Sequence, residues 1–243
     1  MALDDSAQRR RGALVEAVAA WVVASAIAAL LYRLQSVPFI RANLHALVAA
    51  VFLGLPQLLL LRRRGEEIDY GFRVRPVGKG LKLAALASVV FLPIYAAASY
   101  LVYRILCLVH PAWVPGRCAR LYAPSLRWPP DFAMLAAAQL VVVALPEELF
   151  FRGYLQTRLE EAFAGTRRWR LLGVELGWGW LLTAGLFALG HFVVVADPGT
   201  LLTFFPGLVF GWLFAKTRSV LAGALFHAAC NLLVDVLASS LLR

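Results

Sequence analysis

The chain has 243 residues, 61% of them hydrophobic and only 16% charged. A soluble domain carries about 45–50% apolar and about 25% charged residues, so this chain cannot cover a water-facing surface and a soluble globule is excluded. The net charge of +10, from 24 Lys and Arg against 14 Asp and Glu, would suggest nucleic acid in a soluble protein. Here the cations flank apolar runs, where they orient the chain and meet anionic headgroups. The expected partner is therefore the lipid bilayer, with no nucleic acid.

A membrane-crossing helix needs about 20 mostly apolar residues. Seven stretches qualify or nearly do, at roughly 14–32, 42–61, 83–103, 132–151, 177–196, 200–215 and 219–241. The first follows Arg9, Arg10 and Arg11; it is long for a signal peptide and is followed by Tyr32-Arg33 rather than a small-residue cleavage site, so it reads as a retained anchor. The sixth is short and holds Pro206, Gly207 and Gly211, so a kink or an incomplete crossing is expected of it. Lipid offers the backbone no hydrogen bonds, and the alternating short strands of a barrel are missing, so the runs must be helical. The expected fold is all-α: one polytopic membrane bundle over 1–243 with about seven transmembrane helices, eight being the alternative.

Positive loops mark the cytoplasmic side. Arg9–Arg11, Arg62–Arg64 with Arg73, Arg75, Lys79 and Lys82, then Arg158, Arg167, Arg168 and Arg170, and finally Lys216 and Arg218 fall on one side if seven helices cross. That reading puts the N-terminus in the cytoplasm. Arg104, Arg117, Arg120 and Arg127 in the loop around 104–131 run against it. The preference for Arg over Lys, with abundant Ala and Leu, fits a GC-rich bacterial genome and hence a bacterial inner membrane. Cys107 and Cys118 share one loop and could pair on an oxidising side, two free thiols being the alternative; no zinc-finger spacing occurs.

Ionisable groups inside a membrane segment cost about 2.5–3.5 kcal/mol each on insertion scales, so they mark function by default. The fourth run carries Pro146-Glu147-Glu148, with Arg152 four residues beyond Glu148. That spacing puts Glu148 and Arg152 on one helical face as an ion pair, and turns Glu147 about 100° away. Two carboxylates with one Arg are under-neutralised, so one of them is expected to take and give a proton. A charged helix end at the interface would explain them too, but Leu149, Phe150 and Phe151 follow directly.

The fifth run contains Phe187-Ala-Leu-Gly-His191, and the seventh contains His227-Ala-Ala-Cys-Asn231, with His227 and Asn231 one turn apart among small Gly223, Ala224, Ala228 and Ala229. Taken singly, His191 reads as a satisfied interior histidine, and the His227/Asn231 pair reads equally well as helix-packing glue or as a functional pair. Depth joins them. With a hairpin centred near residue 170, Glu147 lies 23 residues before and His191 21 residues after the turn. His227 is about ten residues past its own turn, or about 15 Å at helical rise. The polar groups can meet at one depth. His45 and His110 read as structural, Gln139 as the lining of an entry, and Asp235 as an interface residue with a possible hand in orienting Asn231.

A carboxylate beside a histidine can hold and deprotonate water, while a second histidine and an amide can donate to an oxyanion. That set hydrolyses an amide without a covalent intermediate. No GxSxG turn and no HExxH occur, and Cys230 reads as a buried filler. Zinc is the rival: Glu147, His191 and His227 could supply three ligands with water in the fourth place. Otherwise no cofactor is expected.

The order Glu147-Glu148-x-x-x-Arg152, Phe187-x-x-x-His191 and His227-x-x-x-Asn231 on successive apolar helices resembles the three motifs of the CAAX-protease and bacteriocin-processing (CPBP) intramembrane protease family. The resemblance spans about 130–235, that family's core. It implies an endopeptidase with Glu147 as general base, His191 sharing the water, His227 and Asn231 at the oxyanion, and Glu148 and Arg152 holding the geometry. It also implies eight helices, against seven counted, and a mechanism once described as that of a metalloprotease and also interpreted as metal-independent, the reading favoured for this chain. The implied substrate is a membrane-anchored protein or peptide; one bacterial branch, the myxosortases, handles sorting signals with an apolar helix and a basic tail. A non-catalytic immunity-type binding protein and a proton-coupled transporter are the other classes. The full acid/base and oxyanion set argues against the first, and the lack of internal repeats against the second.

Overall fold

The computed structural model describes residues 2–61, 69–73, 75–109, 118 and 125–242. The sequence readings that rest on Arg62–Arg64, His110, Arg117 and Arg120 lie outside the described residues. Among those residues, seven helices are long and apolar enough to cross a membrane. The helices are α1 (Ala2–Arg33), α2 (Pro38–Leu61), α3 (Val77–Val109), α4 (Phe132–Ala162), α5 (Trp178–Val195), α6 (Phe204–Thr217, within the span Pro198–Thr217) and α7 (Leu221–Leu237, within the span Leu221–Ser240). The protein is an all-α polytopic bundle, as the apolar runs require.

Helix α4 forms the axis of the bundle. Every residue from Phe150 to Gln156 is buried, so this stretch faces protein on all sides. Phe150 and Phe151 pack on Phe52 of α2, with ring centroids 5.0 and 5.6 Å apart, and Phe151 meets Phe187 of α5 at 5.0 Å. Inside lipid there is no hydrophobic drive between helices, and close packing through small residues replaces it. Helix α1 shows this: Ala13, Ala17, Ala20, Ala24 and Ala28, spaced three or four apart, are all buried. Trp21 on the same helix donates from Nε1 to the Leu186 carbonyl of α5 at 2.9 Å. Helix α3 is mostly exposed and packs chiefly on α7.

Three local features depart from plain helices. Helix α4 widens into π-turns at Gln139–Ala144 and Leu149–Gln156, on either side of the Pro146-Glu147-Glu148 segment; π-turns concentrate at functional sites. The sixth run begins as a 3-10 turn, Pro198–Thr203, before α6, and together they span 20 residues. The third is a two-stranded hairpin, β1 (Trp169–Leu171) and β2 (Val174–Leu176), set in the α4–α5 connection at the place where the sequence puts the turn. Its tip, Leu172 and Gly173, has positive φ at both positions, the two-residue turn that matches strand twist. Leu at such a position gives little sequence signal, which is why the strands are not legible in advance.

Basic residues gather at one end of the bundle. Arg10 donates to the Ala164 carbonyl, Lys216 to the Leu172 carbonyl, Lys79 to the Lys216 carbonyl and Arg73 to the Arg218 carbonyl. Cys107 and Cys118 form a disulfide, their Cα atoms 5.7 Å apart.

Candidate active site

Glu148 and Arg152 are fully buried. Arg152 Nε lies 3.5 Å from Glu148 Oε2, and Nη2 reaches the Gly207 carbonyl at 3.4 Å. The guanidinium also lies over the Phe187 ring at 4.6 Å and the Phe210 ring at 5.2 Å, contacts that favour a desolvated cation. The carboxylate reaches α7 because residue 223 is glycine: a Cβ there would sit 2.6 Å from Glu148 Oε2.

Across this contact, His227 Nδ1 is 3.1 Å from Glu148 Oε1. An ionised carboxylate only accepts, so geometry assigns the proton to Nδ1 and leaves Nε2 for other work. Phe210 stacks on the imidazole, centroids 4.7 Å apart with 17° between planes, and Phe187 meets it edge-on at 5.6 Å. The ring is held between a carboxylate and two aromatic walls.

Glu147 differs from its neighbour. Its side chain keeps 14% exposure, and its Oε2 lies 3.8 Å from His227 Nε2, beyond direct hydrogen bonding but within reach of one intervening water. Glu147 and His191 line the same cavity of about 220 Å³, walled mainly by apolar side chains of α1, α2, α4 and α5. His191 Nδ1 lies 2.9 Å from the Phe187 carbonyl; that oxygen can only accept, so Nδ1 donates and the lone pair stays on Nε2.

Glu147, Glu148, Arg152 and His227 thus converge in one buried cluster, and His191 joins Glu147 on the cavity. Asn231 lies one turn beyond His227 and donates from Nδ2 to Gln139 Oε1 at 3.0 Å. Gln139 in turn donates to Asp235 Oδ2 at 3.1 Å, so it joins Asn231 to Asp235. His45, read from sequence as structural, stands on the cavity. Phe210 carries no sequence signal for its place against His227, since it sits among other apolar residues of α6. Among the described residues no group of three His, Cys, Asp or Glu side chains is arranged to hold a metal ion. The ligand set of Glu147, His191 and His227 therefore does not fit a zinc ion as these side chains stand.

Comparison with known proteins bears on the same segment. Residues 129–233 match the family described as type II CAAX prenyl endopeptidase Rce1-like. Over those residues the chain is similar to this CAAX endopeptidase family. The matched segment takes in α4 to α7 up to Leu233 and all six candidate residues, and it leaves α1 to α3 outside. No curated protein and no solved structure matches the chain.

Proposed function

We propose that this protein is an intramembrane endopeptidase that hydrolyses a peptide bond of a membrane-anchored protein or peptide. The observation that carries the reading is the division of labour between two adjacent carboxylates. Glu148 is sealed against Arg152 and His227, while Glu147 alone reaches the cavity shared with His191.

In the proposed reaction, Glu147 and the Nε2 lone pair of His191 hold a water, and Glu147 takes its proton as the oxygen adds to the carbonyl carbon. The developing oxyanion accepts from His227 Nε2–H and from the second N–H of Asn231. Since Nδ1 of His227 already donates to Glu148, this needs the doubly protonated ring. Glu147, Glu148 and Arg152, when ionised, sum to one negative charge, which that ring balances. The carbonyl then re-forms, the C–N bond breaks, and Glu147 returns the proton to the leaving amine. Arg152 and Glu148 keep the His227 ring in place and do not touch the reacting atoms.

The basic end of the bundle fits the cytoplasmic face, and the Cys107–Cys118 disulfide fits an oxidising opposite side. We place the protein in a bacterial inner membrane with its N-terminus in the cytoplasm. The test is co-expression of membrane-anchored candidate substrates with wild type, Glu147→Ala and His227→Ala, with and without a zinc chelator. Processing that both substitutions abolish and chelation spares supports the proposal. Loss on chelation, restored by zinc, would move the water onto a metal, and equal processing by all three proteins would remove the assigned site.

A further inference from the structure

Asn231 stands in a chain of three side chains whose direction is fixed from one end. Its Nδ2 donates to Gln139 Oε1 at 3.0 Å, and Gln139 Nε2 donates to Asp235 Oδ2 at 3.1 Å. Side-chain amides can turn end for end, exchanging donor for acceptor. An ionised carboxylate cannot; it only accepts. Asp235 therefore holds the nitrogen of Gln139, which turns the Gln139 oxygen to Asn231, and this in turn fixes the Asn231 nitrogen. The chain bridges two helices, since Gln139 opens the first π-turn of α4 while Asn231 and Asp235 lie one turn apart on α7. All three are half-buried. One N–H of Asn231 is used in the chain, and the other is left for a ligand.

We infer that Gln139 and Asp235 are positioning residues that decide which end of the Asn231 amide serves the reaction, an inference that rests on the proposed role of Asn231 at the oxyanion. With Asp235 in place the amide offers N–H. With a neutral, reversible partner at 235, both amides can turn together and keep their mutual hydrogen bond, so that a carbonyl oxygen replaces the donor. A donor that matters only as charge develops affects turnover and leaves substrate affinity nearly alone.

The experiment uses the purified full chain in lipid with a membrane-anchored peptide that wild type cleaves. Asp235→Asn and Gln139→Leu should each lower kcat about tenfold to hundredfold, less than removal of the donor itself, with KM within about twofold. Asp235→Glu should restore most of the loss. In an Asn231→Ala background neither substitution should cost anything more, because nothing remains to be positioned. Unchanged kcat in Asp235→Asn overturns the inference, as does a Gln139→Leu penalty of the same factor with and without Asn231. A readout without turnover is the side-chain amide NMR signal of Asn231 in protein labelled at asparagine nitrogen, identified by its loss in Asn231→Ala. Movement of that signal in Asp235→Asn supports the chain, and a fixed signal overturns it. If the signal moves while wild type cleaves no candidate peptide, the chain stands and the protease reading is what fails.

Discussion

His227 faces both carboxylates of the Glu147-Glu148 pair, with Nδ1 3.1 Å from Glu148 Oε1 and Nε2 3.8 Å from Glu147 Oε2. The two glutamates should therefore fail differently when changed. Glu148→Ala strands Arg152 as a buried, unpaired charge and should destabilise the fold by about 3–5 kcal/mol. Glu147→Gln keeps the volume and strands no buried partner charge, so its melting temperature in detergent should stay within a few degrees of wild type while processing is lost. Thermal denaturation of the two variants side by side checks this; equal destabilisation would contradict the assigned roles.

Gly223 sets the approach of α7 to the Glu148 carboxylate. Gly223→Ala places a methyl 2.6 Å from Glu148 Oε2, so the carboxylate or the helix must move. Overpacking of this kind costs about 1–3 kcal/mol, and the shift falls on the His227 contact, so processing should drop about tenfold or more. Gly54→Ala, where nothing lies within 4 Å of the added methyl, is the control and should behave as wild type.

The cavity beside Glu147 should be needed for substrate. Ala49 on α2 is buried and lines it. Ala49→Phe should fill part of the space and lower kcat/KM about tenfold, chiefly through KM, because binding rather than chemistry is obstructed. Steady-state cleavage of a membrane-anchored peptide reads this out. A change confined to kcat would place the substrate elsewhere.

Leu172 at the hairpin tip is 74% exposed and belongs to the basic end of the bundle. In a background with Cys107, Cys118 and Cys230 changed to Ser, Leu172→Cys should react with a membrane-impermeant maleimide only after cells are permeabilised. Labelling in intact cells would invert the assigned orientation.

Much of this arrangement is legible in the chain. The seven spans could be read because apolar runs bounded by Arg and Lys leave the backbone only one way through lipid. The Glu148–Arg152 pair is legible because i, i+4 neighbours share a face, and residue offsets from the turns permit the polar groups of α4, α5 and α7 to meet at one depth without requiring it. Two things were hidden. The π-turns of α4 change how residues 139–156 rotate about the axis, and no local pattern announces them. The engagement of His227 with Glu148, and of Asn231 with Gln139, joins residues 79 and 92 positions apart. Periodicity speaks only within a helix, so it gives no sign that Gln139 bonds Asn231 or that His45 shares a cavity with Glu147 and His191.

Hydrolysis by water activated at Glu147 is tested most directly with purified protein in proteoliposomes and a membrane-anchored peptide cleaved by wild type. Glu147→Gln should lose at least about a thousandfold in kcat, with the fold intact by thermal denaturation, and a zinc chelator should leave the wild-type rate unchanged. A Glu147→Gln protein that still turns over within tenfold of wild type would contradict the account, because no other carboxylate of the cluster reaches the cavity.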